Sequence, residues 1–180
     1  MPHLVHAFLC WIGLSLAWLG CATNLSGTHP SGGVESSTSS AASDFALRDL
    51  DGALVRLSDY RGKVILLSFF GSTCDPCVAE LLQFQSVWDR HREKGFELIS
   101  INTDGPELQS VVLQMVRRNG FRFPVLLDQE TEVISRYNPK LELPYSVLLD
   151  RQGKTVRIHL GYRAGDEAKV EQEVLTLLSS

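Results

Sequence analysis

The feature that most constrains the fold of this chain is a pair of cysteines, Cys74 and Cys77, at the junction of two patterned segments. Residues 64–70 are aliphatic or aromatic apart from one serine, which predicts a buried strand. Residues 75–94 carry apolar side chains at helical spacing. The first sulfur then lies at a helix N-terminus, where free N–H groups favour a thiolate, and the second lies one turn inside. The pattern predicts a thiol–disulfide exchange site with a Cys74–Cys77 disulfide.

Two other uses of such a pair fit the sequence less well. A zinc site needs two further ligands, and His91 and His159 stand alone in the sequence, so we interpret each as a surface or strand-edge residue. We therefore predict no metal and no other cofactor. A purely structural disulfide that closes so short a loop stabilises a fold little, which favours redox use of the pair.

The charge pattern bears on the class of partner. The chain has 17 basic and 21 acidic residues, a formal charge of −4, and no run of more than two basic residues. Proteins that bind nucleic acids concentrate basic side chains on one face. The composition therefore argues against a nucleic-acid partner.

The first 20 residues are predicted to be a signal peptide of the lipoprotein type, cleaved before Cys21. Residues 7–19 are an apolar stretch that is short for a membrane span, and polar sequence follows it. Residues 16–21 resemble a bacterial lipobox, which implies that Cys21 is lipidated. The alternatives are an uncleaved anchor or an ordinary secretory signal.

Residues 21–43 are rich in Ser, Thr and Gly and predict a flexible tether. Together with the leader, this tether predicts an extracytoplasmic domain that is lipid-anchored to a bacterial membrane on its periplasmic side. The choice between inner and outer membrane stays open.

Residues 44–180 alternate strand and helix signals, which predicts a single α/β domain with helices packed on a mixed sheet. Two segments, 45–57 and 145–160, read as β-hairpins around central turn residues. The other predicted elements are strand 96–102, a helix from 103 to about 120, strand 123–127, a short helix at 130–137 and a final helix at 166–178.

Several short motifs, in this order and spacing, make residues 44–178 resemble the TlpA/ResA-type branch of the thioredoxin superfamily. These are bacterial membrane-tethered thiol–disulfide oxidoreductases related to AhpC/TSA proteins. The motifs are Asp51-Gly52, Arg61-Gly62-Lys63-Val64, Cys74-Asp75-Pro76-Cys77, Glu80, Phe123-Pro124-Val125, Leu143-Pro144 and Asp150-Arg151-Gln152-Gly153. The resemblance implies a thioredoxin-like fold, a mixed central sheet flanked by helices, with an N-terminal β-hairpin extension. It also implies a part in cell redox homeostasis.

The resemblance assigns Cys74 as the attacking nucleophile and Cys77 as the resolving thiol. We expect Cys74 to be the more exposed of the two, because the thiolate must reach a substrate. Pro144 matches the family's cis-proline, which faces the disulfide; proline has no N–H, so the preceding backbone stays free to pair with an extended substrate. The residues expected to contact substrate are Leu143, Pro144, Asp75 and Pro76.

Glu80 lies on the same helix face as Cys77. The resemblance implies that this carboxyl group moves protons at the site, which requires a raised pKa from partial burial. From the residues alone, a solvated helix position is the alternative. Ser68 stands where classical thioredoxins keep a buried aspartate, which adds weight to Glu80, and Phe70 and Thr73 replace tryptophans that the family usually has around the site.

The expected activity is reduction of protein disulfides. The carboxylate of Asp75 beside Cys74 disfavours the thiolate, and this makes the disulfide harder to reduce than a strongly oxidising one. The expected partners are a disulfide-containing protein substrate, such as an apocytochrome c, and a membrane electron donor that restores the dithiol. We expect a monomer.

Two further functions fit the sequence less well. A peroxiredoxin-like peroxidase would need Thr or Ser at position 71 and Pro at 67, where the chain has Gly71 and Leu67. A non-enzymatic thiol- or metal-binding adaptor would more typically carry three residues between its cysteines.

Overall fold

The computed structural model describes residues 41–180; the signal peptide, Cys21 and all but the last three residues of the predicted tether lie outside the described residues. The strands are β1 Ala46–Asp49, β2 Leu54–Arg56, β3 Val64–Phe70, β4 Phe96–Asn102, β5 Val125–Leu127, β6 Tyr145–Leu149 and β7 Thr155–Leu160. The α-helices are α1 Asp75–His91, α2 Gln109–Asn119, α3 Glu132–Tyr137 and α4 Asp166–Leu178.

The strands form one sheet in the order β2-β1-β5-β4-β3-β6-β7. Neighbours β3, β4 and β5 are parallel, whereas the hairpins β1–β2 and β6–β7 are antiparallel. Every residue of β3 and β4 is buried, because helices cover both faces of the sheet centre. The predicted mixed α/β sheet with an N-terminal hairpin is thus confirmed.

Side chains of β3 alternate between two apolar clusters, one on each face of the sheet. Leu66 packs into the cluster that includes Phe84 of α1 and Val170 of α4. Leu67 packs into the cluster on the opposite face, together with Ile134 of α3. The helix that begins at the cysteine pair is therefore fixed to the sheet along its apolar face.

Three predicted helices differ at their ends; the short helix predicted over 130–137 begins at Glu132. The helix predicted over 75–94 is α-helical only to His91 and continues as a 3-10 turn, Arg92–Lys94, before Gly95 at φ 95°. The helix predicted from residue 103 begins with a 3-10 turn at Pro106–Leu108, and α2 starts at Gln109. Strands β3 and β4 and helix α4 have the predicted bounds.

Hydrogen bonds between charged side chains link the C-terminal end of α1 to α4. Arg90 donates two hydrogen bonds to Glu171, at 2.9 and 2.8 Å, and His91 Nε2 lies 2.7 Å from the same carboxylate. His91 is buried, so its interpretation as a surface or strand-edge residue is wrong. His159 does lie on β7, an edge strand, as predicted.

The end of the predicted tether packs onto the domain. Ala41 forms a β-bridge with Lys154, and the Ala42 N–H donates to the Gly153 carbonyl at 2.9 Å. Tyr137 donates its hydroxyl hydrogen to the Ser43 carbonyl at 2.6 Å. Residues 41–43 thus belong to the folded domain. Backbone hydrogen bonds order them although their sequence has no hydrophobic period. In the range 41–180, none of the helices has the length and apolarity to span a membrane.

Candidate active site

The active-site cysteines form a disulfide at the start of α1. Cys74 and Cys77 are joined by an S–S bond, with 5.2 Å between their Cα atoms. Cys74 is the N-cap residue of α1, and its Sγ accepts the Cys77 N–H at 3.3 Å. A free N–H of the first helical turn therefore points at the sulfur, where it favours a thiolate.

The two sulfurs differ in access to solvent. Cys74 is partly exposed, whereas Cys77 is completely buried in the apolar cluster beneath α1. Asp75 and Pro76, between them, are exposed. Proline is well suited to this first helical turn, because its missing N–H would have no partner inside the helix. A substrate can therefore reach Cys74 but not Cys77.

A polar network holds the turn that precedes Cys74. Asp104 Oδ2 accepts the Ser72 N–H at 2.8 Å and the Asn102 side-chain amide at 2.9 Å. The sequence predicted Asp104 only as part of a helix start and missed this contact with the cysteine turn. The available signal was a strand-end Asn-x-Asp, which is typical of side chains that bind nearby backbone N–H groups.

Leu143 lies beside the disulfide, and the Leu143–Pro144 peptide bond is cis. A Cβ atom built on Gly71 would lie 3.7 Å from Leu143 Cδ1 and 3.9 Å from Cys74 Cβ. Leu143 and Cys74 thus border the same small gap at Gly71. Pro144 itself is buried at the start of β6.

Glu80 is buried behind the cysteines, one helical turn after Cys77. Its carboxylate accepts the hydroxyl hydrogens of Ser68 at 3.0 Å and Ser146 at 3.1 Å, and only 2% of the residue is exposed. Burial raises the pKa of Glu80 to about 7, although the two hydroxyl donors lower it. Glu80 is therefore not the solvated helix residue that the sequence alone allowed.

A cavity of about 240 Å³ connects Glu80 with the protein surface between β7 and α4. Its lining includes His159, Tyr162, Asp166 and Lys169. A space of this size has room for several water molecules. Among residues 41–180, no three His, Cys, Asp or Glu side chains are grouped to hold a metal ion.

Comparison with known proteins agrees with this geometry. Residues 38–158 match the AhpC/TSA family. The thiol-disulfide oxidoreductase ResA of Geobacillus thermodenitrificans is 34% identical over 134 residues, which are 74% of this chain and 75% of that protein. The chain is a member of the AhpC/TSA family, of the ResA type.

Other relatives give the same assignment. ResA of Geobacillus kaustophilus is 36% identical over 122 residues, 68% of each chain. A crystal structure from Chlorobium tepidum, assigned as a thiol:disulfide interchange protein DsbE, matches with a TM-score of 0.72 at 30% identity, over 78% of this chain and 96% of that one. The predicted thioredoxin-like fold is confirmed, and the chain is a thiol–disulfide oxidoreductase.

Proposed function

We propose that this oxidoreductase works as a reductase of extracytoplasmic protein disulfides, with Cys74 as nucleophile and Cys77 as resolving thiol. The observation that carries the proposal is the difference in access: Cys74 is partly exposed at a helix N-terminus and Cys77 is fully buried. The Cys74 thiolate attacks one sulfur of the substrate disulfide, whose S–S bond breaks, and the first substrate thiolate leaves and takes up a proton. The Cys77 thiolate then attacks Cys74 Sγ, which releases the second substrate thiol and forms the Cys74–Cys77 disulfide.

Glu80 is the proposed proton acceptor for Cys77. Cys77 has no contact with solvent, so its thiol proton needs an acceptor inside the protein. Glu80 lies one helical turn away, and with a pKa of about 7 its carboxyl group exists in both protonation states near neutral pH. The cavity between β7 and α4 offers the proton a way to bulk water.

The substrate is proposed to bind across the rim of the disulfide. Asp75 and Pro76 are exposed beside Cys74, and Leu143 borders it from the opposite side of the Gly71 gap. Pro144, which follows Leu143, leaves the neighbouring backbone without one N–H donor. Leu143 gives this groove an apolar wall that suits an aliphatic residue next to the substrate cysteine.

The proposal also includes the direction of electron flow and the cellular location of the protein. The candidate substrates include apocytochromes c, whose haem-binding cysteines would be reduced. Each reduction leaves the Cys74–Cys77 disulfide, which a membrane dithiol donor must reduce again. We place the protein on the periplasmic side of a bacterial membrane as a monomeric lipoprotein anchored at Cys21. Incorporation of labelled fatty acid that persists in Cys21→Ser would contradict the anchor, and a dimer in sedimentation would contradict the monomer.

The catalytic roles are tested by trapping the intermediate. Reduced Cys77→Ala should accumulate a covalent mixed disulfide with a disulfide-containing protein such as insulin, because the second displacement is removed. With Cys10 and Cys21 replaced by serine in both variants, Cys74→Ala should form none, since the remaining thiol, Cys77, is buried. A reduction potential of the wild-type couple near −270 mV supports a reductase, and one near −120 mV contradicts it. Equal trapping by both variants would refute the assigned roles.

A further inference from the structure

The turn before the nucleophile depends on one carboxylate that comes from another strand. Asp104 follows β4, yet its Oδ2 accepts the backbone N–H of Ser72, two residues before Cys74. The same oxygen accepts the amide of Asn102, which also donates to the Phe70 carbonyl at 3.4 Å. Asp104 and Asn102 thus link the ends of β3 and β4 next to the active-site turn.

The second oxygen of this carboxylate borders the same gap at Gly71 as the Cβ atom of Cys74. A Cβ atom built on Gly71 would be 3.3 Å from Asp104 Oδ1 and 3.9 Å from Cys74 Cβ. Asp104 and the nucleophilic residue therefore lie on the rim of one gap, which has room for about one methyl group. Glycine at position 71 keeps that gap open, because a side chain there would press against Asp104.

We propose that Asp104 is a positioning residue that also sets the reducing strength of the Cys74–Cys77 couple. This proposal rests on the proposed function and adds to it the group that tunes the site. Asp104 fixes the turn through Ser72, and its negative charge disfavours the thiolate form of Cys74. The reduced protein is therefore a stronger electron donor than the helix N-terminus alone would make it.

The direction of the effect follows from the redox balance. When two glutathione molecules reduce the protein, the Cys74–Cys77 bond breaks and one glutathione disulfide forms, so two electrons enter the protein. Of the two glutathione protons, one stays on Cys77 and the other is released while Cys74 is a thiolate. A nearby negative charge destabilises that thiolate, which shifts the equilibrium toward the protein disulfide and glutathione.

Asp104 is better placed for this role than the carboxylate next to Cys74 in the sequence. Asp75 is exposed, so water and salt screen its charge. Asp104 is half-buried, and the Asn102 amide that donates to it also donates to the carbonyl of Phe70, a residue with no exposed surface. Charges interact more strongly in such surroundings than in water.

The test uses the full chain with Cys10 and Cys21 replaced by serine, so that only the active-site thiols react. The variant is Asp104→Asn, which keeps an oxygen acceptor for Ser72 and Asn102 but removes the charge. We expect its equilibrium constant for reduction by glutathione to rise about tenfold, which corresponds to about 30 mV for a two-electron couple. Glu107→Gln, an exposed carboxylate three residues further on, is the matched control and should stay within twofold of the parent.

A second readout separates charge from structure. The rate of Cys74 alkylation by iodoacetamide follows the thiolate, so in Asp104→Asn its midpoint should move to lower pH. The difference in glutathione equilibrium should shrink below that midpoint, where Cys74 is a thiol in both proteins. Asp104→Ala should in addition lower the thermal unfolding temperature, because it leaves the Ser72 N–H without its acceptor.

A glutathione constant for Asp104→Asn within twofold of the parent, with an unchanged alkylation midpoint, would overturn the proposal. That outcome is distinct from failure of the proposed reductase function, which would appear as a Cys77→Ala variant that traps no substrate through Cys74. A shift of equal size in Glu107→Gln would also overturn it, since it would show a general charge effect.

Discussion

Two carboxyl groups, one on α1 and one packed against it, have pKa values that are shifted in opposite directions. Glu80, on the helix itself and 2% exposed, has a pKa raised to about 7. Glu171 reaches from α4 to the other end of the helix, and its hydrogen bonds from Arg90 and His91 lower its pKa to about 2. Glu80 has almost no contact with water, whereas Glu171 is partly exposed and meets a cation.

The contrast has two causes, the deeper burial of Glu80 and the cation that Glu171 meets. Burial disfavours ionisation of both groups. At Glu171 the guanidinium of Arg90 outweighs that cost, whereas the hydroxyls of Ser68 and Ser146 only reduce it at Glu80. The disulfide end of α1 therefore keeps a proton that is exchanged near neutral pH, and the far end keeps a fixed negative charge.

The largest effect is expected when the exchangeable proton is removed. Glu80→Gln should lower disulfide-reductase turnover at pH 7 about 100-fold or more, the usual size of a general acid–base contribution. In the wild type the rate of the second displacement should rise as the pH passes about 7, and Glu80→Gln should lack that rise. Stopped-flow pH profiles measure both. A pH profile in Glu80→Gln that matches the wild type would show that Glu80 has no part in the mechanism. Glu171→Gln, which keeps the active site intact, is the control.

The second-largest effect is on the pH dependence of stability, which Glu80 and Glu171 should change in opposite directions. The pKa of Glu80 in the folded protein lies above its ordinary value of 4.5, so stability should fall by about 3 kcal/mol as the pH rises from 4.5 to 7. The pKa of Glu171 lies below its ordinary value, so its contribution is present above pH 4.5 and is lost as the pH falls toward 2. Since Glu171 is about a quarter exposed, we expect about 2 kcal/mol there.

Urea unfolding between pH 2 and 8 measures these slopes. Relative to wild type, Glu80→Gln should become more stable as the pH rises from 4.5 to 7, and Glu171→Gln should lose its disadvantage as the pH falls below 4.5. Parallel stability curves for wild type and both variants would contradict the assigned pKa directions.

The smallest effect tests the hydroxyl donors of Glu80. Ser68→Ala and Ser146→Ala each remove one hydrogen bond to the carboxylate, so each should move the pKa of Glu80 further up, by about half a pH unit. Carboxyl infrared titration measures this shift. Ser100→Ala is a matched control, because Ser100 is a buried strand serine that donates to the Pro124 carbonyl instead. A downward shift in either test variant would show that the hydroxyls do not act as donors.

The parts of the structure that were predictable are those that local pattern decides. Strands β3 and β4 are mainly apolar runs of seven residues, and the cysteine pair is placed by the junction that follows β3. The first turn of the site, from Cys74 to Cys77, could therefore be interpreted from spacing alone.

The rest depends on contacts between distant segments. Glu80 meets Ser68 and Ser146, which precede it by 12 positions and follow it by 66, so its burial had no local signal. Asp104 is misread as a helix start because its partner, Ser72, lies 32 positions away. His91 is buried where it meets Glu171 of α4, 80 positions further along the chain.

The docking of Ala42 against Gly153 has a mechanical consequence. Gly153 belongs to the turn that also meets Gly62, where the Gly62 N–H donates to the Arg151 carbonyl, just before β3 begins. The disulfide follows the other end of β3, on the order of 20 Å away for seven extended residues. Any force that reaches the domain through its N-terminal chain therefore acts on the base of the sheet. Such a force enters at the end of β3 opposite to the disulfide.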